Sequence, residues 1–230
     1  MAIVGYSLCS STLLLANKMS IEYLPSPSLV SLIQIVFSTL IVLFLKLIGF
    51  QVDSFEFSKV KAYSLYIVIF VSAIYTNMKA LAVSNVETVI VFRACTPIAV
   101  SIIEYTFMNR ELPSIRSGIS LSIVAIGAIV YCLSDSQLSL NGLSSYTWVI
   151  IYFFLITLEM TYGKTLTSSV QMDSVWGPVL YCNSLSILPM FALAYFQGDL
   201  ENSMDLLTDL PLNGILILFF SCIAGTIIGY

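Results

Sequence analysis

The stretch NVETVIVFRACTPIAVSIIEYTFMNRELPS, residues 85–114, decides the fold class, because most of it is apolar and long enough to cross a lipid bilayer. A helix needs about 20 predominantly apolar residues to span the hydrocarbon region. Residues 86–107 supply such a run, with polar residues on both sides of it. A transmembrane β-strand would be shorter and would alternate apolar and polar side chains. The stretch therefore predicts a transmembrane α-helix.

Segments of the same kind fill the rest of the chain. The predicted spans are 2–22, 28–48, 61–82, 86–107, 115–134, 144–165, 174–196 and 212–230. The connections between them are short except for 49–60 and 197–211. The sequence therefore predicts an all-α polytopic membrane protein with about eight transmembrane helices.

The composition excludes several functional classes. Of the 230 residues, 58% are hydrophobic and only 10% are charged, whereas a soluble domain usually has about 25% charged residues. This excludes a cytosolic enzyme, a disordered tail and a nucleic-acid binder. The chain has no histidine, the commonest general base and metal ligand. We expect no catalytic residues, no metal site and no cofactor.

The cysteines do not predict a disulfide framework or a zinc site, because none of them lies close to another in sequence. There are five: Cys9, Cys95, Cys132, Cys182 and Cys222. Each lies in an apolar run, so we interpret them as small buried hydrophobic side chains.

The basic residues of the connections all follow even-numbered spans. They are Lys46, Lys59, Lys61, Arg110, Arg116 and Lys164. The connections after spans 1, 3, 5 and 7 contain no Lys or Arg and contain acidic residues instead. Because cytosolic loops of membrane proteins are enriched in Lys and Arg, we expect the N-terminus and the even-numbered loops in the cytosol.

A weak repetition in hydropathy suggests a repeat. Five spans precede a polar break near SDSQLSLNG, residues 134–142, and three spans follow it. Five helices followed by five are typical of an inverted-repeat transporter with a substrate site near the bilayer midplane. We therefore predict a first five-helix repeat in 1–134 and an incomplete second repeat, three helices of five, in 144–230. We expect the C-terminus to be truncated, because the last span reaches Tyr230 without a polar flank.

Three cations fall inside predicted spans. Each would cost about 2.5–3.5 kcal/mol at a helix centre, so each should face a cavity or a partner. Lys18 and Lys79 lie towards the predicted lumenal ends, where they either reach the membrane interface or face a cavity. Arg93 lies about 10 Å into its helix, and Pro97 leaves the Arg93 carbonyl without its helical partner. This pattern is typical of an anion-binding cavity or of a packed kink; a guanidinium matches phosphate geometry.

Other polar residues inside spans also need partners. Glu104 is expected to pair with Arg110 or a neighbouring helix. Glu159 is expected to act as a counter-ion to one of the cations or in proton coupling. In span 7, Tyr181, Asn183 and Ser184 either join helices or contact a ligand, and an asparagine suits the edge of a nucleobase.

Four stretches carry a family resemblance. Residues 85–114 resemble the fourth-helix signature of Golgi nucleotide-sugar transporters of the drug/metabolite transporter superfamily, in the GDP-mannose and GDP-fucose branch. WGPVLYCNSLS, residues 176–186, resembles the helix-7 motif of that branch. LANKMSIEYLPSPSLVSLIQ, residues 15–34, is similar to its Asn-Lys first helix and the turn that follows. YTNMKAL, residues 75–81, is similar to its third-helix Asn-x-Lys-Ala-Leu pattern.

The resemblance implies a ten-helix inverted repeat that exchanges a cytosolic GDP-sugar, GDP-mannose or GDP-fucose, for lumenal GMP across the Golgi membrane. It implies substrate-binding roles for Lys18, Asn77, Lys79, Arg93, Tyr181, Asn183 and Ser184. In this scheme Tyr181 and Asn183 lie on the guanine-reading side, and Lys79 and Arg93 coincide with cations of the family. The implied partners are the GDP-sugar and GMP, membrane lipid and a second copy of the chain in a homodimer.

Two departures from the family pattern keep alternatives open. Cys182 stands where the family usually has the first of two asparagines, and a thiol cannot supply the two-way hydrogen bonding of an amide. The family's Gly-x-x-Asn-Lys stretch of helix 9 would fall beyond Tyr230. The alternatives are a transporter of another nucleotide sugar or of a sugar phosphate, and an inactive or scaffolding membrane paralogue.

Overall fold

The computed structural model describes residues 2–108, 110–135, 146–201 and 203–229, which form α-helices and short connections with no β-strand in those ranges. The long helices are α1 (Ala2–Tyr23), α2 (Pro27–Ile48), α3 (Phe57–Val83), α4 (Val86–Met108), α5 (Ile115–Ser134), α6 (Thr147–Ser169), α7 (Trp176–Phe196) and α8 (Leu212–Gly229). A short helix, Ser203–Thr208, lies between α7 and α8.

Six helices among the described residues, α2 to α7, are long and apolar enough to cross a membrane. Residues Leu212–Ile227 of α8 form a shorter apolar helix. Each predicted span coincides with one of the eight long helices, so the predicted all-α polytopic class is confirmed. The predicted polar break near SDSQLSLNG and the predicted start of the sixth span at residue 144 lie almost wholly outside the described residues.

The helix ends follow local chemistry. Helix α2 begins at Pro27, and a proline suits this position because the N–H group that it lacks would have no partner within the helix. The same helix ends at Ile48 and is capped by Gly49, whose φ of 102° is the left-handed conformation that a glycine adopts without strain. The start of α3 was predicted at residue 61, but α3 begins at Phe57. The extra turn contains Lys59, which pairs with Glu56 at 3.1 Å, so this part of α3 can form outside the hydrocarbon.

The helices before and after the undescribed segment pack against each other in pairs. The main pairs are α1 with α8, α2 with α7 and α3 with α6. Further contacts join α3 to α7 and α2 to α8. In a five-helix repeat, α1, α2 and α3 of the first half correspond to α6, α7 and α8 of the second. This correspondence relates the α1–α8 pair to the α6–α3 pair, and the α3–α7 pair to the α8–α2 pair. This pairing is expected of an inverted five-helix repeat; the division into 1–134 and 144–230 stays a prediction.

At the even-loop end, where the connections after α2, α4 and α6 lie, ion pairs involve the predicted loop cations. Arg110 Nη1 lies 2.9 Å from Glu104 Oε1, which confirms the predicted pairing. Lys164 Nζ lies 2.8 Å from the same carboxylate, so Glu104 joins α4 to α6. These contacts bring the basic connections together at one end of the bundle. That this end faces the cytosol stays a prediction.

The buried carboxylate of Asp53 joins the α2–α3 and α6–α7 connections. It accepts hydrogen bonds from the main-chain N–H groups of Asp173 and Ser174, both at 2.9 Å, and from the Ser174 hydroxyl at 2.6 Å. Lys59 Nζ lies 3.5 Å from it. A Cβ atom on Gly177 would collide with this carboxylate, so the close approach requires glycine at that position.

The Asp53→Asn variant should be less stable, because an amide cannot accept all of these hydrogen bonds. We expect a loss of about 2 kcal/mol in the free energy of unfolding, measured in detergent by thermal or denaturant unfolding. The matched control is Asp173→Asn, because the exposed side chain of Asp173 is replaced while its main-chain N–H still donates to Asp53. Equal losses in both variants would contradict the role of Asp53.

This stabilisation should depend on pH. Burial acts to raise the pKa of Asp53, but the hydrogen bonds from Ser174 and the N–H of Asp173 outweigh it and hold the pKa below the ordinary value of 3.8. The contribution is therefore complete above that value and is lost as the pH falls through the lower pKa of the folded protein. The difference between wild type and Asp53→Asn should shrink below about pH 4. A constant difference down to about pH 3 would be inconsistent with this linkage.

Candidate functional site

A cavity of about 240 Å³ lies between α1, α2, α3, α4, α6, α7 and α8. Its lining follows the helical period. On α2 the lining residues Ser31, Gln34 and Ser38 are three and four positions apart, and on α3 Ala73 and Asn77 are four apart. Residues at these spacings share one face of a helix. The cavity therefore lies beside one face of each of these two helices, with most of its polar groups on the α2 side.

An amide network forms one wall of the cavity. The side chain of Gln34 donates to Asn17 Oδ1 and to Ser221 Oγ, both at 2.9 Å. These bonds tie α2 to α1 and to α8. We did not predict Asn17 or Gln34 as site residues. The available signal was that both lie in the stretch 15–34 that carries the family resemblance.

Two ionisable side chains face this cavity from α4 and α6. Arg93 and Glu159 both line it, yet no Arg93 nitrogen lies within 4.0 Å of a Glu159 oxygen. Glu159 Oε1 accepts a hydrogen bond from the Tyr66 hydroxyl at 3.3 Å. Across the described ranges, Arg93 takes part in no ion pair. Its guanidinium, with donors in a planar fork, is therefore available to an anion.

Two buried oxygens of the lining have no partner in the part of the chain that the structure describes: Ser38 Oγ and Asn77 Oδ1. A third such atom, Thr96 Oγ1, is not part of the lining. Leaving a buried polar atom unpaired costs about 1–3 kcal/mol. Both residues line the same cavity, so unused hydrogen-bonding capacity lies beside it.

The cavity brings together three of the predicted site residues, Asn77, Arg93 and Asn183. Asn183 also donates from Nδ2 to the carbonyl of Val179, at 2.9 Å in its own helix. Ser184, the next residue along α7, is partly buried and is not part of the lining.

The predicted lysines lie outside the cavity. Lys18 Nζ donates to the carbonyls of Leu81, at 2.7 Å, and Ser84, at 3.3 Å, and so binds the C-terminal end of α3. A cation is favourable at this end of a helix. Lys79 Nζ lies 5.6 Å from the centre of the Tyr75 ring. Residues two positions apart in an α-helix point in directions that differ by about 200° around the helix axis. Because Asn77 faces the cavity, Lys79 points away from it.

Tyr181 is fully buried, and its hydroxyl is used at the even-loop end. It donates to the carbonyl of Ser54 and accepts from the N–H of Glu56, both at 2.7 Å. Tyr181 and Asn183 are also two positions apart, so they face different ways from α7. The role of Tyr181 in reading guanine stays a prediction.

Comparison with known proteins decides the family. The chain is 32% identical to GDP-fucose transporter 1 of Arabidopsis thaliana over 99% of its own length and 67% of that protein. The chain belongs to the nucleotide-sugar transporter family, in its GDP-sugar branch. It is also 30% identical to the GDP-mannose transporter GONST3 of Arabidopsis thaliana, over 98% of this chain and 61% of that protein. The predicted resemblance is confirmed.

A more distant relative is named for a different class of substrate, the UDP-sugars. It is the UDP-galactose/UDP-glucose transporter 7 of Arabidopsis thaliana, 22% identical over the whole chain and 70% of that protein. No protein-family profile matches the chain. The chain spans about two thirds of the length of these relatives, and only 61% of GONST3.

The different settings of the two lysines can be tested by stability. The Lys18→Met variant should lose about 1–2 kcal/mol of unfolding free energy, because two carbonyls at the end of α3 lose a charged donor. The Lys79→Met variant loses one contact with an aromatic ring and should change less. Unfolding midpoints of both variants in detergent provide the measurement. A larger loss for Lys79→Met would contradict the assignment.

Proposed function

We propose that this transporter exchanges a cytosolic GDP-sugar, GDP-mannose or GDP-fucose, for lumenal GMP across the Golgi membrane. The observation that carries the proposal is a cavity within the helix bundle that combines Arg93, available to an anion, with the amides of Asn77 and Asn183. The names of the relatives, a GDP-fucose and a GDP-mannose transporter, support the choice of substrate. All of these relatives are named as transporters, which supports transport without a covalent step.

Arg93 binds the phosphate groups in this proposal. A nucleoside diphosphate sugar and a nucleoside monophosphate share phosphate oxygens, and one guanidinium can engage either ligand. Glu159 shares the cavity and balances the charge of Arg93 when no ligand is bound. Because Glu159 lies more than 4.0 Å from Arg93, a phosphate does not have to break an existing ion pair.

The uncharged parts of the ligand contact the amide side chains of Asn77 and Asn183. The remaining residues implied by the family, Lys18, Lys79, Tyr181 and Ser184, lie outside this cavity. Their contact with substrate requires a different conformation of the carrier. Alternating access supplies such conformations, because one set of helices rocks against the other around a central site.

At each end of the bundle, hydrogen bonds join the two halves of the chain, and such motion has to rearrange them. At the even-loop end, the Asp53 and Tyr181 hydrogen bonds join 1–134 to 144–230. At the opposite end, the Ser28 hydroxyl donates to Asp199 across the same division. We propose that the even-loop end faces the cytosol, as the distribution of Lys and Arg favours, and that the N-terminus lies on that side. Association into a homodimer also remains a proposal.

Transport of another nucleotide sugar is the second candidate. It is favoured by the likeness to the UDP-galactose/UDP-glucose transporter and by Cys182 in place of an amide. Competition separates the two candidates: in reconstituted exchange, GMP should inhibit more strongly than UMP. A preference for UMP would replace the GDP-sugar assignment with the second candidate.

The role of Arg93 can be tested in proteoliposomes loaded with GMP. Wild type should take up labelled GDP-mannose or GDP-fucose. Arg93→Gln should lower uptake at least about a hundredfold, because the phosphate loses its charged partner, and Arg93→Glu should abolish it. The control is Arg116→Gln, at an exposed arginine of α5.

The outcomes distinguish the steps of the proposal. Uptake by Arg93→Glu at the wild-type rate would exclude the phosphate role of this residue. Wild-type protein that binds GMP but never exchanges it would favour the inactive paralogue. Membrane insertion and the unfolding midpoint of each variant are measured in parallel, so that a misfolded protein is not counted as an inactive one.

A further inference from the structure

Two buried oxygens stand out among the polar groups of the cavity. Ser38 is 4% exposed, lines the cavity from α2, and has no hydrogen-bond partner for its hydroxyl in the described ranges. Asn77 lines it from α3, and its Oδ1 atom is also buried without a partner there. The two helices pack against each other. Two side chains that line the same cavity therefore carry unused hydrogen-bonding capacity.

The neighbours of Ser38 show that this is not the general behaviour of hydroxyls in α2. Ser31 and Thr39 each donate to the carbonyl four residues earlier, at 2.8 and 2.9 Å. Thr76, next to Asn77 on α3, likewise donates to a main-chain carbonyl at 2.8 Å. In these three residues the hydroxyl is satisfied within its own helix. Ser38 is not, although it lies on the same helix face as Ser31.

The chemistry of the pair limits what it can bind. An amide oxygen can only accept hydrogen bonds, whereas a serine hydroxyl donates one and accepts others. Phosphate oxygens are acceptors at full ionisation and cannot satisfy Asn77 Oδ1. An N–H or O–H group can. Asn77 Oδ1 is therefore unsuited to the phosphates that Arg93 attracts and suited to the uncharged, donor-bearing part of the same ligand, and the Ser38 hydroxyl can contact the same donor group.

We infer that Ser38 and Asn77 form a hydrogen-bonding subsite that takes N–H or O–H donors of the transported ligand and contributes to its selectivity. The inference rests on the proposed nucleotide-sugar exchange and adds a specificity site on α2 and α3. Sugar hydroxyls and the N–H groups of the guanine edge share the required chemistry.

The test compares Ser38→Ala and Asn77→Leu with Thr39→Val in the full chain. Thr39 is the matched control, because it is a buried hydroxyl of the same helix that already donates to the Ile35 carbonyl and is not part of the cavity lining. Dissociation constants are measured for GMP, IMP and GDP-mannose, and unfolding midpoints are measured without ligand. Ser38→Ala and Asn77→Leu should each weaken the binding of GDP-mannose about five- to tenfold, and Thr39→Val should leave it unchanged.

The ligand-free midpoints separate a binding role from a structural one. Removing a buried hydroxyl that has no partner should leave the midpoint of Ser38→Ala equal to or above that of wild type. A lower midpoint would show that the hydroxyl is bonded within the protein and would overturn the subsite. Ser38→Ala also keeps the test decisive if Asn77→Leu does not fold.

The choice of ligands identifies the donor. If the subsite takes guanine N–H groups, the binding of GMP and of GDP-mannose weakens together, and the ratio of the affinities for GMP and IMP decreases. If it takes hydroxyls of the mannose ring, the binding of GDP-mannose weakens while that of GMP does not; either pattern supports the subsite. If the wild type exchanges these ligands but neither Ser38→Ala nor Asn77→Leu changes their dissociation constants, the subsite is overturned and the proposed function is not. A wild type that neither binds nor exchanges these ligands overturns the proposed function as well.

Discussion

The absence of hydrogen-bond partners in lipid hydrocarbon is the constraint on which this structure depends. A polar side chain on a membrane helix has to find its partner on its own helix, on a neighbouring helix or in an internal cavity. Gln34 contacts two other helices, and Thr39 bonds to its own main chain. Arg93 and Glu159 face the internal cavity. The cavity is thus where polar side chains of several apolar helices converge.

The same constraint gives charged side chains two kinds of role. Lys18, Asp53 and Glu104 bind main-chain or side-chain partners near the ends of the bundle, where they hold connections and helices together. Arg93 and Glu159 line the internal cavity and form no ion pair with each other. A carrier needs both kinds. The first positions the helices, and the second leaves charge available to a ligand that must bind and leave again.

The helices and the candidate site were predictable to different degrees. Apolar runs of about 20 residues identify spans directly, because the thickness of a bilayer sets the length of a crossing helix. Arg93 was predictable as a cavity residue, since a guanidinium has few other stable settings at that depth. Lys18 and Tyr181 were not assignable in this way. Their partners, Leu81 and Ser54, are more than sixty residues away in the chain.

The sequence by itself determined the membrane class, the positions of the helices and the family, because these depend on local hydropathy and on motifs read in order. Only the tertiary structure decided which motif residues share a cavity. Each residue turns an α-helix by about 100°. Motif residues two positions apart, such as Asn77 and Lys79 or Tyr181 and Asn183, therefore face different surroundings. The tertiary structure likewise singled out Ser38, since whether its hydroxyl finds a partner depends on what the packed helices place around it, and none lies there among the described residues.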